Sequence, residues 1–100
     1  MLFRSALENE RIEHWFKRVL ALSGSHPTLA LEVARLQRLV KGYGDTHARG
    51  LRNYQTLMGV LDRHAATLTP AQLASLRDAA LADDSGVALQ TALRKQAWAA

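Results

Sequence analysis

The stretch DTHARGLRNYQTLMGVLDRHAATL, residues 45–68, carries the clearest helical pattern in the chain. Its apolar residues recur mostly three or four positions apart, which places them on one side of a helix with 3.6 residues per turn. These residues are Leu51, Tyr54, Leu57, Met58, Leu61, Ala65 and Leu68. The pattern predicts a helix that begins at Asp45 or Thr46 and is the longest of the fold. We expect Leu51, Leu57, Met58 and Leu61 to be buried.

A second helical pattern precedes this stretch. Pro27 suits the first turn of a helix, because the N–H group that proline lacks has no partner there in any case. An apolar stripe then follows at helical spacing: Leu29, Val33, Leu36 and Val40. We predict a helix from about Pro27 to Lys41, with Gly42 as its C-cap, since glycine commonly follows the last residue of a helix.

The first segment of the chain is also amphipathic. Ser5 and Glu8 have the S-x-x-E spacing of a capping box. The apolar residues that follow are Ile12, Trp15, Phe16, Val19 and Leu20. We predict a helix from about Ala6 to Leu22, with Trp15 and Phe16 in the core.

Two shorter helices are predicted after residue 68. TPAQL repeats the start signal, with Thr69 as cap, Pro70 at the first position and Gln72 at the capping-box position. The apolar residues of this fourth helix are Leu73, Leu76 and Ala80. ADDSG then interrupts the pattern, and Asp84 or Ser85 is expected to cap a last helix that holds Val87, Leu93 and Trp98.

The whole pattern predicts an all-α fold, a small bundle of four to five helices in which residues 1–100 form a single helical domain. Alanine and leucine dominate, only two prolines occur, and no segment alternates as a strand would. No run of about 18 apolar residues is present, so we expect no membrane contact. The chain lacks cysteine, which excludes disulfides, thiolate zinc sites and iron–sulfur clusters held by this chain, and fits a cytoplasmic protein.

The net charge of +4 is concentrated in the middle of the chain. Arg49, Arg52 and Arg63 lie on the side of the third helix opposite its apolar stripe. Such a face can bind nucleic acid, but a solvated face explains it more simply, because no dense basic run and few aromatic residues accompany it. His47 lies on the apolar side, where a half-buried packing residue is more common than a general base.

The segment KGYGDTH, residues 41–47, joins the second and third helices. It lacks the P-loop pattern, and its glycines follow a helix rather than the strand that a dinucleotide-binding fingerprint requires. The simplest interpretation is a turn with both glycines at positive φ, in which Gly42 ends one helix, Gly44 lets the chain reverse and Asp45 starts the next helix. A second reading adds a polar patch of Lys41, Tyr43, His47 and Arg49 that binds an anionic ligand or another protein surface.

Residues 34–54, ARLQRLVKGYGDTHARGLRNY, resemble the C-terminal helical region of indolepyruvate ferredoxin oxidoreductase beta-subunit-like proteins. In that family of 2-oxoacid oxidoreductases, a Leu/Val-rich helix is followed by a basic residue, Gly, an aromatic residue, Gly and a polar helix start. The resemblance implies a parent enzyme that decarboxylates aryl pyruvates oxidatively to aryl-acetyl-CoA. It also implies thiamine diphosphate and iron–sulfur clusters in that parent.

This chain has neither cysteines nor the G-D-G…N pattern of thiamine binding, and it is far shorter than such a subunit. We therefore expect a C-terminal fragment of a larger oxidoreductase subunit. It would bind no metal or cofactor and have no catalytic residue of its own. Its expected partners are the remainder of its subunit and the other oxidoreductase subunit. The alternative is an independent helical module that binds protein or nucleic acid.

Overall fold

Helices make up the described structure. The computed structural model describes residues 2–64, 66–83 and 85–96, with the backbone alone for residues 2–8, and within these ranges no residue lies in a strand. The elements are α1 (Leu2–Ser23), α2 (Pro27–Arg35), a 3₁₀ turn (Leu36–Leu39), α3 (Gly44–His64), α4 (Pro70–Ala82) and α5 (Val87–Lys95). The predicted all-α fold of four to five helices is therefore confirmed.

The chain divides into two structural units, one ending at Arg35 and the other beginning at Leu36. In the first unit α1 packs against α2. In the second unit α3 packs on the 3₁₀ turn and α4, while α4 also contacts α5. The prediction of one domain over residues 1–100 stays a prediction.

The first helix departs from its predicted start and burial. It begins at Leu2, so Ser5 lies inside α1 and not at its N-cap. Once a helix is nucleated, each added residue gains a hydrogen bond, and nothing in residues 2–5 stops that extension. Trp15 is half-buried, and its indole N–H donates to the carbonyl of Val33 over 2.9 Å. The prediction that Phe16 is a core residue is wrong, because it lies about 100° round the helix from Trp15 and is exposed.

The second helix ends earlier than predicted, at Arg35 and not at Lys41. The chain continues as the tighter 3₁₀ turn, in which residues three apart lie on the same side. That spacing buries Leu36 and Leu39 together. Within the same turn, the Gln37 amide donates to the Tyr54 hydroxyl over 3.3 Å. Gly42 is consequently not the residue that follows an α-helix.

Leucines predominate in the core of the second unit, which draws on the 3₁₀ turn, on α3, α4 and α5, and on the connection between α3 and α4. The buried apolar residues are Leu36, Leu39, Tyr54, Leu57, Met58, Val60, Leu61, Leu68, Leu73, Leu76, Ala80, Leu89 and Leu93. Three of the four burial predictions for α3 are confirmed, whereas Leu51 is only half-buried. Val87 lies in the last helix as predicted, where it is the exposed first residue of α5.

The third helix ends at His64, four residues before the predicted end at Leu68. The amides of Thr67 and Leu68 turn back to the His64 carbonyl, and Leu68 is buried outside the helix. At 21 residues, α3 is one residue shorter than the 22-residue α1, so the prediction that it is the longest helix is wrong.

The two last helices begin differently. The predicted capping box of α4 is confirmed: the Thr69 hydroxyl accepts from the Gln72 amide, and the Gln72 side chain accepts from the Thr69 amide. In α5 the N-cap is Gly86, not Ser85. The Asp83 carboxylate accepts instead from the Ala88 N–H. Asp84, Ala65 and Trp98 lie outside the described residues.

Candidate functional site

Two glycines at positive φ shape the connection between the 3₁₀ turn and α3. Gly42 has φ +80° and Gly44 has φ +57°, as predicted for this turn. A Cβ at Gly42 would lie 2.8 Å from Cγ2 of Thr46, so a side chain at this position would also require Thr46 to shift. The helix begins at Gly44 itself, and Asp45 lies in its first turn and not before it. The negative charge of Asp45 lies near the positive, N-terminal end of the helix dipole, and this attraction stabilises the start of α3.

Tyr43 is the most exposed aromatic side chain among the described residues. It lies between Gly42 and Gly44 and is 93% exposed. Lys41, two residues before it, is also exposed. A buried tyrosine contributes a large apolar area to a fold, so the fold gains little from Tyr43 in this position. Stability therefore does not explain why an aromatic residue stands at this tip.

The other two residues of the predicted patch lie on α3 and are half-buried. For His47 this agrees with the predicted packing role. His47 and Arg49 are two positions apart, so they project roughly 200° apart round the helix. The patch residues consequently surround the start of α3, with Lys41 and Tyr43 as the accessible pair. A binding role for the four residues stays a prediction.

The next turn of α3 is fixed by a close backbone approach. A Cβ at Gly50 would overlap the carbonyl oxygen of Leu39 in the 3₁₀ turn. Glycine therefore lets the two backbones meet, and the segment between them, residues 40–49, is held at both ends. The sequence did not predict the contact between Gly50 and Leu39. The periodicity of a helix does not reveal which part of the backbone packs against it.

A shallow cleft of about 280 Å³ lies beside the turn. Lys41 and Thr46 line one side of it, and Leu81 and Asp83 at the end of α4 line the other. The cleft therefore combines a cation with a carboxylate. An anionic ligand would meet that carboxylate, whereas a protein surface with both charges would match the cleft.

The carboxylate of Asp83 is well supplied with donors. It accepts from the Ser85 hydroxyl over 2.6 Å, from the Ser85 amide over 3.1 Å and from the Ala88 amide over 3.3 Å. The hydroxyl bond, followed by the two amide bonds, holds the pKa of Asp83 below its ordinary value. Sequence reasoning missed this residue, although an aspartate two positions before a serine is a common signal for such a turn.

A second groove, of about 330 Å³, lies between α3 and α5. Arg52 and Arg94 both line it, together with Asn53, Ser85 and Gln90. Its lining, all from the described part of the chain, includes no acidic side chain. Of the three arginines assigned to one face of α3, Arg52 lines this groove, Arg63 is exposed elsewhere and Arg49 is half-buried.

Neither a metal centre nor a membrane span is found in the part of the chain that the structure describes. Among those residues no group of three or more His, Asp or Glu side chains is placed to hold a metal ion. None of the helices in the same ranges is both long and apolar enough to cross a membrane. The expectation that the chain binds no metal or cofactor stays a prediction.

One protein family matches the chain. The model of DUF6537, a family of unknown function, matches residues 2–59, more than half of the 100 residues. The chain belongs to the DUF6537 family. The matched segment runs from α1 into α3 and includes the turn, Tyr43 and Gly50. No curated protein and no solved structure matches the chain.

Proposed function

We propose that the chain is an accessory C-terminal helical domain of an indolepyruvate ferredoxin oxidoreductase-like enzyme and that it is not catalytic alone. The proposal includes a cytoplasmic location, with which the lack of cysteine agrees. The resemblance of residues 34–54 suggests the parent enzyme. The observation that supports an accessory role is Tyr43, held out from the fold at 93% exposure between two glycines of positive φ.

An exposed tyrosine at a fixed tip suits recognition of another protein surface. Tyrosine is enriched among the residues that dominate binding energy, since it brings apolar area and a hydroxyl while losing little conformational entropy. The neighbouring Lys41 and the carboxylate of Asp83 supply opposite charges in the adjoining cleft. The partners proposed are therefore the remainder of the same subunit and the other oxidoreductase subunit.

The parent's cofactors do not fit this chain. An iron–sulfur cluster is held by cysteine thiolates, and the sequence has none. The sequence also lacks the thiamine-binding pattern, so thiamine diphosphate belongs to other parts of the proposed parent. The role of this domain would be to bind and orient those parts, and oxidative decarboxylation of aryl pyruvates would take place outside it.

Complex formation tests the proposal. The purified chain is mixed with the indolepyruvate oxidoreductase subunits of its source organism, from which the corresponding region has been deleted, and binding is measured by calorimetry. We expect a stoichiometric complex, restored aryl-pyruvate oxidation on mixing, and no turnover by the chain alone. Absence of binding, or no change in activity on mixing, would overturn the accessory role.

The second candidate is an independent module that binds nucleic acid, and the groove between α3 and α5 favours it. Arg52 and Arg94 line that groove together, so both are placed to contact one phosphate backbone. If the chain has this function, it binds a DNA or RNA duplex, and its affinity falls steeply as salt is added. The Arg52→Ala, Arg94→Ala double variant should lose this binding. Lys41→Ala is the matched control, because Lys41 does not line this groove.

A further inference from the structure

An apolar stripe runs along α1 beside the side of the helix that packs on α2. Ile12, Phe16 and Leu20 are 44%, 52% and 55% exposed. Spacing of four residues places them on successive turns of one side of the helix. Single exposed apolar side chains are ordinary, but three in a row form a continuous surface of the kind that marks an interaction site.

The stripe is distinct from the side of α1 that packs on α2. Trp15 identifies that side, since its indole donates to the Val33 carbonyl and its side chain is half-buried. Phe16 lies one residue further on, about 100° round the helix. Packing within the first unit therefore uses one side of α1, and α2 does not cover the stripe on the adjacent side.

Charges of opposite sign flank the stripe along one edge. Glu13 and Lys17 each follow a stripe residue by one position, so both project on the same side of it. Both are exposed, and neither forms an ion pair within the ranges that the structure describes. The negative charge lies toward the N-terminal end of the helix and the positive charge toward its C-terminal end.

We propose that this surface is a homodimer interface, in which a second copy of the chain lays its α1 antiparallel on the stripe. A two-fold axis through Phe16 pairs Ile12 with Leu20 of the second copy and stacks the two Phe16 rings. The same axis keeps the charged edges together, so Glu13 lies beside Lys17 of the second copy, and the pair occurs twice. A parallel two-fold arrangement would place the two charged edges on opposite sides of the interface and would lose both Glu13–Lys17 pairs.

The expected dimer is weak and specific. A single pair of helices buries less than the roughly 1,600 Å² of a standard interface, so we expect a dissociation constant on the order of 100 µM. The net charge of +4 opposes non-specific association. Since the Glu13–Lys17 pairs are at the surface, added salt should weaken the dimer.

Sedimentation velocity of the full chain, from about 10 µM to about 500 µM, tests the proposal. Wild type should shift from monomer to dimer over this range. Phe16→Glu should remain monomeric, because it places two like charges at the two-fold axis. Ala71→Glu is the matched control: the same charge is added at an exposed alanine of α4, outside the stripe and its charged edge, and dimerisation should persist. Circular dichroism verifies that each variant is folded.

Charge reversal then tests the antiparallel register. Glu13→Lys and Lys17→Glu should each raise the dissociation constant about fivefold or more, and the double variant should restore the wild-type value. A wild type that is monomeric throughout would overturn the proposal, as would a dimer indifferent to Phe16→Glu or a double variant without rescue. A monomer that binds another protein through Phe16 would assign the stripe to that partner and equally overturn the homodimer.

Discussion

Gly50 of α3 lies directly against the carbonyl group of Leu39, so closely that a Cβ at residue 50 would overlap the carbonyl oxygen. A backbone carbonyl cannot rotate away as a side chain can. Gly50→Ala should therefore force the 3₁₀ turn and α3 apart and lower the free energy of unfolding by about 1–3 kcal/mol, as overpacking does. This exceeds the gain of about 1 kcal/mol that alanine brings to a helix interior. Urea denaturation measures the difference.

Gly59 provides the matched control in the same helix. A Cβ there would meet only the Arg63 guanidinium, at an ordinary contact distance of 3.5 Å. Gly59→Ala should thus raise the free energy of unfolding by about 0.5–1 kcal/mol. Equal effects of the two substitutions would show that Gly50 has no special contact.

The turn glycines should respond to alanine for different reasons. Gly44 has open space around it but a φ of +57°, so Gly44→Ala should cost about 1 kcal/mol from backbone strain alone. Gly44→Asn should cost less, because asparagine tolerates this conformation. Gly42→Ala adds the contact with Thr46 to the strain and should cost more than Gly44→Ala. Thermal and urea unfolding give the ranking, and the reverse order would contradict it.

Lys41→Ala is the neutral reference for the turn, since exposed charges contribute within about 0.5 kcal/mol. The sequence also placed Arg49 on a solvated face, but the structure shows this side chain half-buried. Arg49→Ala removes the packed stem of the side chain together with its charge. It should destabilise the chain more than Lys41→Ala does, and it is therefore unsuitable as a probe of binding alone.

Thr69 should stabilise α4 through its cap. Thr69→Ala removes the acceptor for the Gln72 amide and should lower the free energy of unfolding by about 1 kcal/mol. Thr91→Ala is the control, because Thr91 is exposed within α5 and caps no helix: its hydroxyl donates to the Val87 carbonyl and accepts from the Arg94 guanidinium, both in the same helix. If both variants lose the same stability, the cap does not contribute as the geometry implies.

The stability contributed by Asp83 should depend on pH. Its pKa is lowered in the folded state, so ionised Asp83 favours folding above the ordinary aspartate pKa of about 3.9. That contribution is lost as the pH falls through the folded pKa, which lies below this value. Asp83→Ala should therefore have a lower melting temperature than wild type at pH 6, and the gap should close below about pH 4. A gap that stays constant down to pH 2.5 would contradict this role.

Periodicity predicted the parts of the fold in which one side of a helix faces the core. Leu57, Met58 and Leu61 were placed correctly because a 3.6-residue period directly encodes a common face. Phe16 was misplaced because the apolar arc of α1 is wider than the surface that α2 covers. A single sequence reveals amphipathicity, but it does not reveal how many neighbours a helix has.

The turn shows the same limit at the level of the backbone. Positive φ at Gly42 and Gly44 was predictable, because glycines between two helical patterns signal it. The contact of Gly50 with Leu39 depends on the unexpected 3₁₀ turn, which the apolar stripe does not distinguish from a continuing α-helix. Asp83 was missed because the N–H group it accepts from belongs to Ala88, five residues further along the chain. Gly86, with a φ of +93°, lies between the two residues.

Binding by Tyr43 variants decides whether the turn presents a contact surface or only reverses the chain. The dissociation constant for the oxidoreductase subunits is measured with wild type, Tyr43→Ala, Tyr43→Ala with Lys41→Ala, and Lys95→Ala as an exposed control. We predict that Tyr43→Ala weakens binding at least tenfold, which corresponds to about 1.4 kcal/mol. The melting temperature of Tyr43→Ala should match that of wild type. The dissociation constant of Lys95→Ala should also match that of wild type. Unchanged binding by the Tyr43→Ala, Lys41→Ala double variant would contradict the contact surface and leave the segment as a turn alone.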